Sequence, residues 1–142
     1  MYKFILVAVI TIVSVFKSMA QERVTIHSSG TYFVQPVKDK KWKNTNGGDF
    51  TEASYKFYSG LTYITLISET DTEIDLAYTL TVKDGELQME VTDEDGNQFF
   101  DKSFTTTQNG TVRLKLAGGT VYKVNFRGKD TSGSYKARWK QV

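Results

Sequence analysis

Apolar residues recur at every second position through most of the C-terminal half of this chain. Ile74, Leu76, Tyr78, Leu80 and Val82 make one such run; Leu87, Met89 and Val91 make another. Val112, Leu114 and Leu116 follow, then Tyr122, Val124 and Phe126 in part, then Tyr135, Ala137 and Trp139. A period of two dries one side of an extended segment and wets the other, and it fits no helical face. The intervening residues are Thr, Lys, Arg, Glu and Asp, as a solvated sheet face requires. Enrichment in Thr, Val, Ile, Tyr and Phe agrees with strands.

Turn chemistry punctuates these runs. Asp84-Gly85 and Asn109-Gly110 are hairpin dipeptides. Asp93 to Asn97 reads as a longer hairpin, and Gly118-Gly119 and Lys129 to Gly133 as two further turns. Upstream, Val24 to Ser28, Thr31 to Val37, Ser54 to Tyr58 and Leu61 to Ser68 read as strands. Lys38 to Asp49 reads as a polar loop. The expected fold is all-β: a two-sheet antiparallel β-sandwich, jelly-roll-like, of about eight strands. Leu76, Leu80, Leu114, Phe126, Tyr135 and Trp139 are expected in its core.

Residues 1–20 read as a signal peptide. Lys3 precedes the apolar run Phe4 to Phe16, and Ser18-Met19-Ala20 offers a small-residue cleavage site. A membrane-spanning helix needs about 20 apolar residues, more than this run supplies. No cysteine follows it to carry a lipid. The expectation is one domain over residues 21–142, exported to the periplasm, the cell surface or the extracellular space. The chain has no cysteine, which removes disulfides and thiol catalysis. Stability must come from the core, feasible at this size.

Lys3 and Lys17 aside, the expected mature chain carries sixteen basic and sixteen acidic residues. Acids concentrate between residues 44 and 101, and bases after residue 102. Two readings follow. Acidic and basic strands pair side by side, each pair contributing about 0.2–1 kcal/mol; or the charges segregate, giving a polar molecule that self-associates. The first needs no partner and is preferred. A neutral chain without an interleaved basic face argues against nucleic-acid binding.

From Val82-Lys83-Asp84-Gly85-Glu86-Leu87 and Val91 to Gly96 through the ending Tyr122 to Gly128 and Ser132 to Trp139, residues 74–140 resemble small exported bacterial β-sandwich proteins of uncharacterised function. The last two strands also resemble pre-peptidase C-terminal domains, jelly-roll-like accessory modules of secreted enzymes. The resemblance implies a fold; its motifs are turn glycines and core aromatics, so no functional residue carries over.

Candidate chemistry is sparse. His27 is the only histidine, beside Ser28 and Ser29, which read as turn residues. No nucleophile–base–acid set emerges, and the expectation is no enzyme and no resident cofactor. Asp93, Asp95 and Asn97 around Gly96 have the oxygen spacing of a calcium loop, with Glu94 or Asp101 as further oxygens, but strands flank it where helices belong. Turn geometry accounts for the same residues. Asn109-Gly110-Thr111 fits a glycosylation acceptor and equally a hairpin tip. Trp42, within Lys40-Lys41-Trp42-Lys43, either stacks on a ligand or plugs one end of the sandwich. Phe57 and Tyr58 must point to opposite faces, as must Phe99 and Phe100. The expected function is a non-catalytic binding module for a carbohydrate, another envelope polymer or a protein partner, with Trp42, Tyr58 and Tyr63 as its ligand-binding residues. The alternative is a structural protein that self-associates.

Overall fold

The computed structural model describes residues 25–142; the segment read as a signal peptide lies outside them. The chain is all-β. Among the described residues seven strands run in order: β1 (Ile26–Lys40), β2 (Lys43–Asn46), β3 (Phe50–Ser68), β4 (Thr72–Asp93), β5 (Gln98–Phe104), β6 (Gln108–Leu116) and β7 (Val121–Gln141). All pairings are antiparallel. Among the described residues no helix is long and apolar enough to cross a membrane.

The register shows how one sheet becomes two layers. The first parts of β3 and β4 and the last part of β7 pair with one another, flanked by β2 and β6. The second parts of β3 and β4 and the first part of β7 pair likewise, flanked by β1 and β5. Layer one therefore has the order β2-β3-β7-β4-β6, and layer two β1-β3-β7-β4-β5. Strands β3, β4 and β7 belong to both. They bend where the pairing slips, at Tyr55–Gly60, Val82–Glu86 and Gly128–Gly133.

Side-chain parity records the same crease. Along β4 the buried positions are Ile74, Leu76, Tyr78, Leu80 and Val82, then Leu87, Met89 and Val91. Even numbers give way to odd. In β3 the switch falls between Tyr55 and Tyr58, and in β7 between Phe126 and Thr131. An extra residue bends a strand and shifts its alternation by one. The inner face thus stays inner on both sides of the fold. The doubled sheet covers itself, and its layers meet through Phe126 and Tyr135, stacked 3.8 Å apart at 5°. The six residues expected in the core are all buried.

Three expected turns are corrected. Asp84-Gly85 does not reverse the chain; it is the crease of β4, with Gly85 at φ +67°. Lys129 to Gly133 is the crease of β7. Asn109-Gly110 lies inside β6, and its glycine makes room for the ring of Tyr78. Ser54–Tyr58 and Leu61–Ser68 are likewise one strand, as are the two segments merged in β1. Seven strands, four of them 15 residues or longer, stand where about eight were expected. The expected loop Lys38 to Asp49 holds the end of β1 and the whole of β2.

The turns that do reverse the chain gather at the opposite end, the mouth. Residues 94–97 form one, with Gly96 N donating to Asp93 O at 3.2 Å. Residues 69–71 and 117–120 each carry the chain from one layer to the other, and they touch: Gly119 N donates to Ser68 O at 2.8 Å. Gly118 N donates to Asp71 Oδ1 at 2.8 Å.

Layer one pairs its charges across strands. Arg113 meets Asp75 at 3.0 Å, Lys115 meets Glu73 at 3.8 Å and Lys136 meets Glu52 at 3.7 Å. The Arg113 guanidinium holds the Asp75 carboxyl below its ordinary range, chiefly by hydrogen bonding. Acid-rich β4 lying between base-rich β6 and β7 is the preferred arrangement of the two readings.

Candidate functional site

The residues expected to bind a ligand do not share one exposed surface: Trp42 and Tyr58 pack against each other at 5.1 Å, and Tyr63 stands elsewhere. Tyr58 is fully buried. Its hydroxyl contacts Thr62 Oγ1 at 3.1 Å and donates to the carbonyl of Phe126. Burial pushes that hydroxyl up to about 12. A side chain with no surface cannot grip a ligand, so Tyr58 is a core residue. Trp42 lies half-buried between β1 and β2. Its ring stacks on Tyr55 at 5.5 Å and also meets Phe33, Tyr58 and Tyr135. Its Nε1–H donates to Asn44 Oδ1 at 2.9 Å. It plugs the crease end of the sandwich. Of the three, Tyr63 alone stands on an outer face as expected.

That outer face, on layer two, carries aromatic and polar side chains in aligned rows. Strand pairing aligns three rows across its five strands. One row reads Tyr32, Tyr63, Asn125, Glu90, Asp101; a second reads Val34, Leu61, Arg127, Gln88, Ser103. The third reads Ser29, Thr65, Lys123, Thr92, Gln98. In the first two rows the columns therefore differ in chemistry. Apolar and aromatic groups occupy β1 and β3, hydrogen-bond donors occupy β7, and carboxylates, an amide and a hydroxyl occupy β4 and β5. The third row is polar throughout.

Tyr32 and Val34 are 43% and 44% exposed, which leaves an aromatic and an aliphatic surface open to solvent. Tyr32 and Tyr63 pack at 5.1 Å, and Lys123 Nζ lies 4.8 Å from the Tyr63 ring. Tyr32 OH donates to Ser29 Oγ at 2.9 Å, which fixes the ring. On the polar side, Gln88 Nε2 donates to Asp101 Oδ1 and Gln98 Nε2 to Glu90 Oε2, both at 2.7 Å. Asn125 is buried and donates to Thr92 Oγ1 at 3.2 Å. These contacts hold the side chains in place before a ligand arrives. Leu61, Gln88, Glu90, Lys123, Asn125 and Arg127 are among the residues lining a groove of about 270 Å³ over this face.

A wider groove of about 510 Å³ crosses the outer face of layer one, past Lys43, Thr45, Glu52, Thr79, Ser134 and Lys136. Its one aromatic lining residue, Tyr135, is buried, and Lys136 is paired with Glu52. It has no apolar platform.

The other candidates resolve simply. The His27 ring meets Glu69 at 3.1 Å on the exposed surface, and Ser29 Oγ contacts Thr65 Oγ1 instead. Asp93 Oδ1 accepts the backbone N–H groups of Asp95 and Asn97, and its Oδ2 accepts Asn97 Nδ2, all at 2.9 Å. The loop's own donors occupy both oxygens, which is an Asx-type turn. Among the described residues no group of three or more His, Asp or Glu side chains converges as a metal site. Phe57 carries Lys40 Nζ 5.9 Å from its ring, and Phe99 is 43% exposed over Tyr122; their neighbours Tyr58 and Phe100 pack inward, as alternation requires.

No family model matches the sequence, and no curated protein does. Solved structures are similar in fold. A family 4 carbohydrate-binding module aligns at TM-score 0.47 and 9% identity, over 82% of this chain and 85% of its own. The Podospora anserina β-(1,4)-mannanase with a family 35 module aligns at TM-score 0.48 and 10% identity, over 82% of this chain and 28% of the mannanase. A family 29 carbohydrate-binding module aligns at TM-score 0.39 and 9% identity, over 84% of this chain and 89% of its own. Likeness at this level leaves function to be argued from this chain's own residues.

Proposed function

We propose that the chain is a non-catalytic, exported module that binds a glycan on the outer face of layer two. The observation that carries this reading is the row Tyr32, Tyr63, Asn125, Glu90, Asp101, set across five paired strands. A sugar ring has an apolar C–H face and a rim of hydroxyls that both donate and accept. An aromatic surface suits the first and interleaved donors and acceptors suit the second. A broad open face suits a polymer, which can run past it in either direction. Export rests on the apolar run Phe4 to Phe16.

Binding to a panel of soluble glucans, mannans, xylans and peptidoglycan fragments tests this, by calorimetry and affinity electrophoresis. For the polymer that binds, Tyr32→Ala and Tyr63→Ala each weaken affinity about tenfold, the equivalent of about 1.4 kcal/mol. Glu90→Ala weakens it similarly, through a charge-assisted hydrogen bond. Trp42→Ala lowers the melting temperature, since the indole is a plug. Undiminished binding by a folded Tyr32→Ala/Tyr63→Ala protein removes the reading.

A further inference from the structure

The two ends of the molecule differ in charge. At the mouth, residues 69–71 and 94–97 hold Glu69, Asp71, Glu94 and Asp95, residues 117–120 hold no charge, and none of the three turns holds a base. At the other end the β1–β2 junction lies against the crease of β3, with Lys40 opposite Phe57 and Lys43 opposite Ser54. The segments 38–43, 56–60, 83–86 and 129–133, which gather there, hold seven lysines against four acids. Lys38, Lys40, Lys41 and Lys43 crowd the junction and are all exposed. The ion pairs of layer one use none of the residues in these end segments.

The mouth also holds a groove of about 730 Å³. Phe99, Leu116 and Tyr122 give it apolar surface, and Asp71, Asp93 and Asp95 give it negative charge. Its one basic lining residue, Lys115, faces Glu73 at 3.8 Å. Phe99 stands edge-on to Tyr122 at 5.5 Å, which leaves an exposed aromatic ring among carboxylates. Asp71 and Asp93 are held by backbone N–H groups. Asp95 gives its turn only a backbone N–H, so among the described residues its carboxylate is uncommitted. Such a surface suits lysine side chains, whose ammonium meets the acids while the methylene stem covers the ring.

We propose that the mouth docks the lysine-rich crease end of a second copy of this chain, with Lys40 and Lys41 entering the groove beside Phe99. The argument for a second copy is charge complementarity within one sequence. The expected mature chain is neutral, and the base that the mouth lacks is carried in excess at the opposite end. Complementary potentials of this kind steer encounter and fix orientation. The contact joins two different surfaces, so it leaves one mouth and one crease end free and builds an open row. This association does not depend on glycan binding: Phe99, Asp95, Lys40 and Lys41 lie outside the groove over layer two.

Sedimentation of the purified protein over a concentration series tests the proposal. In about 20 mM salt the mean mass rises with concentration beyond that of a dimer, and in about 1 M salt, where screening acts within a few ångströms, it returns to the monomer. Phe99→Ser removes the ring at the mouth, and Lys40→Gln/Lys41→Gln removes two charges at the crease end. Each variant alone associates at least tenfold more weakly, with an unchanged melting temperature. Asp95→Lys is the second mouth variant and has the same effect with Phe99 in place. The mixture is the decisive measurement. A mouth variant keeps an intact crease end, and the crease variant keeps an intact mouth, so the two together form a one-to-one pair at wild-type affinity and nothing larger. A wild-type protein that stays monomeric in low salt overturns the proposal. So does association that persists unchanged in about 1 M salt, as contact through an apolar edge strand would. A folded mixture that stays monomeric, or either folded variant associating as the wild type does, also overturns it.

Discussion

Raised in pH from neutrality, the protein unfolds steeply between pH 10 and about 12. Tyr55, Tyr58 and Tyr135 form a buried cluster, with ring centroids 5.1 Å apart for Tyr55–Tyr58 and 6.3 Å for Tyr55–Tyr135. Burial is the first cause that pushes all three hydroxyls above the ordinary value of 10.0, Tyr58 to about 12 and the other two further. In the unfolded chain each ionises near 10. Above that pH the native state retains protons that the unfolded state has released, so stability falls as pH rises. The contribution is complete below pH 10 and is lost progressively toward the native values. One group costs about 1.4 kcal/mol per pH unit, and three cost about 4 kcal/mol per unit. Two such units remove about 8 kcal/mol, comparable to the whole 5–15 kcal/mol by which a domain is stable. Tyrosinate absorbance from these residues should therefore appear together with loss of the far-ultraviolet strand signal. Tyr55→Phe isolates one contribution. The Tyr55 hydroxyl has no hydrogen-bond partner among the described residues, so its removal leaves stability at pH 7 unchanged or raised while reducing the alkaline slope by about a third. An intact strand signal at pH 12 contradicts the account.

Gly133→Ala destabilises the protein by about 3 kcal/mol or more and lowers its melting temperature by roughly 10 °C or more. Gly133 sits in the crease of β7 at φ +136°, where L side chains are strained. A Cβ there would overlap the carbonyl oxygen of Thr81 on the neighbouring β4. That obstruction is backbone in a central strand, so it cannot swing aside. Gly96→Ala is the matched comparison. Gly96 also has positive φ, +81°, but a Cβ there meets nothing within 4 Å. Its replacement costs about 1–2 kcal/mol from conformation alone. Equal melting temperatures for the two variants would show that close approach at the crease is not what selects glycine.

The sequence made the core legible because period-two burial is a local property. Leu76, Leu80 and Tyr135 could be placed inside without knowing their partners. The crease was not legible, since Asp84-Gly85 has the same composition whether it reverses a strand or bends it. Only the partner's shift at the same height, Lys129 to Gly133 opposite Val82 to Glu86, distinguishes the two. Tyr63 was recognisable as a surface aromatic, and Tyr58 was misassigned because a bulge moves it to the inner face. Tyr32, Asn125, Arg127 and Glu90 were not picked out. Each stands at an outward alternate position, but they come from three strands, β1, β4 and β7, whose adjacency depends on topology. The paired Asp75–Arg113 and Glu73–Lys115 contacts had a visible cause in the uneven distribution of charge along the chain.

Strand β7 is hydrogen-bonded to β3 on one side and β4 on the other in both layers, and it follows both in chain order. Until β7 docks, β3 and β4 lack their shared neighbour. A partly folded chain then has open edges in each layer and no interior to close, so the slow event in assembly should be the long-range seating of one central strand.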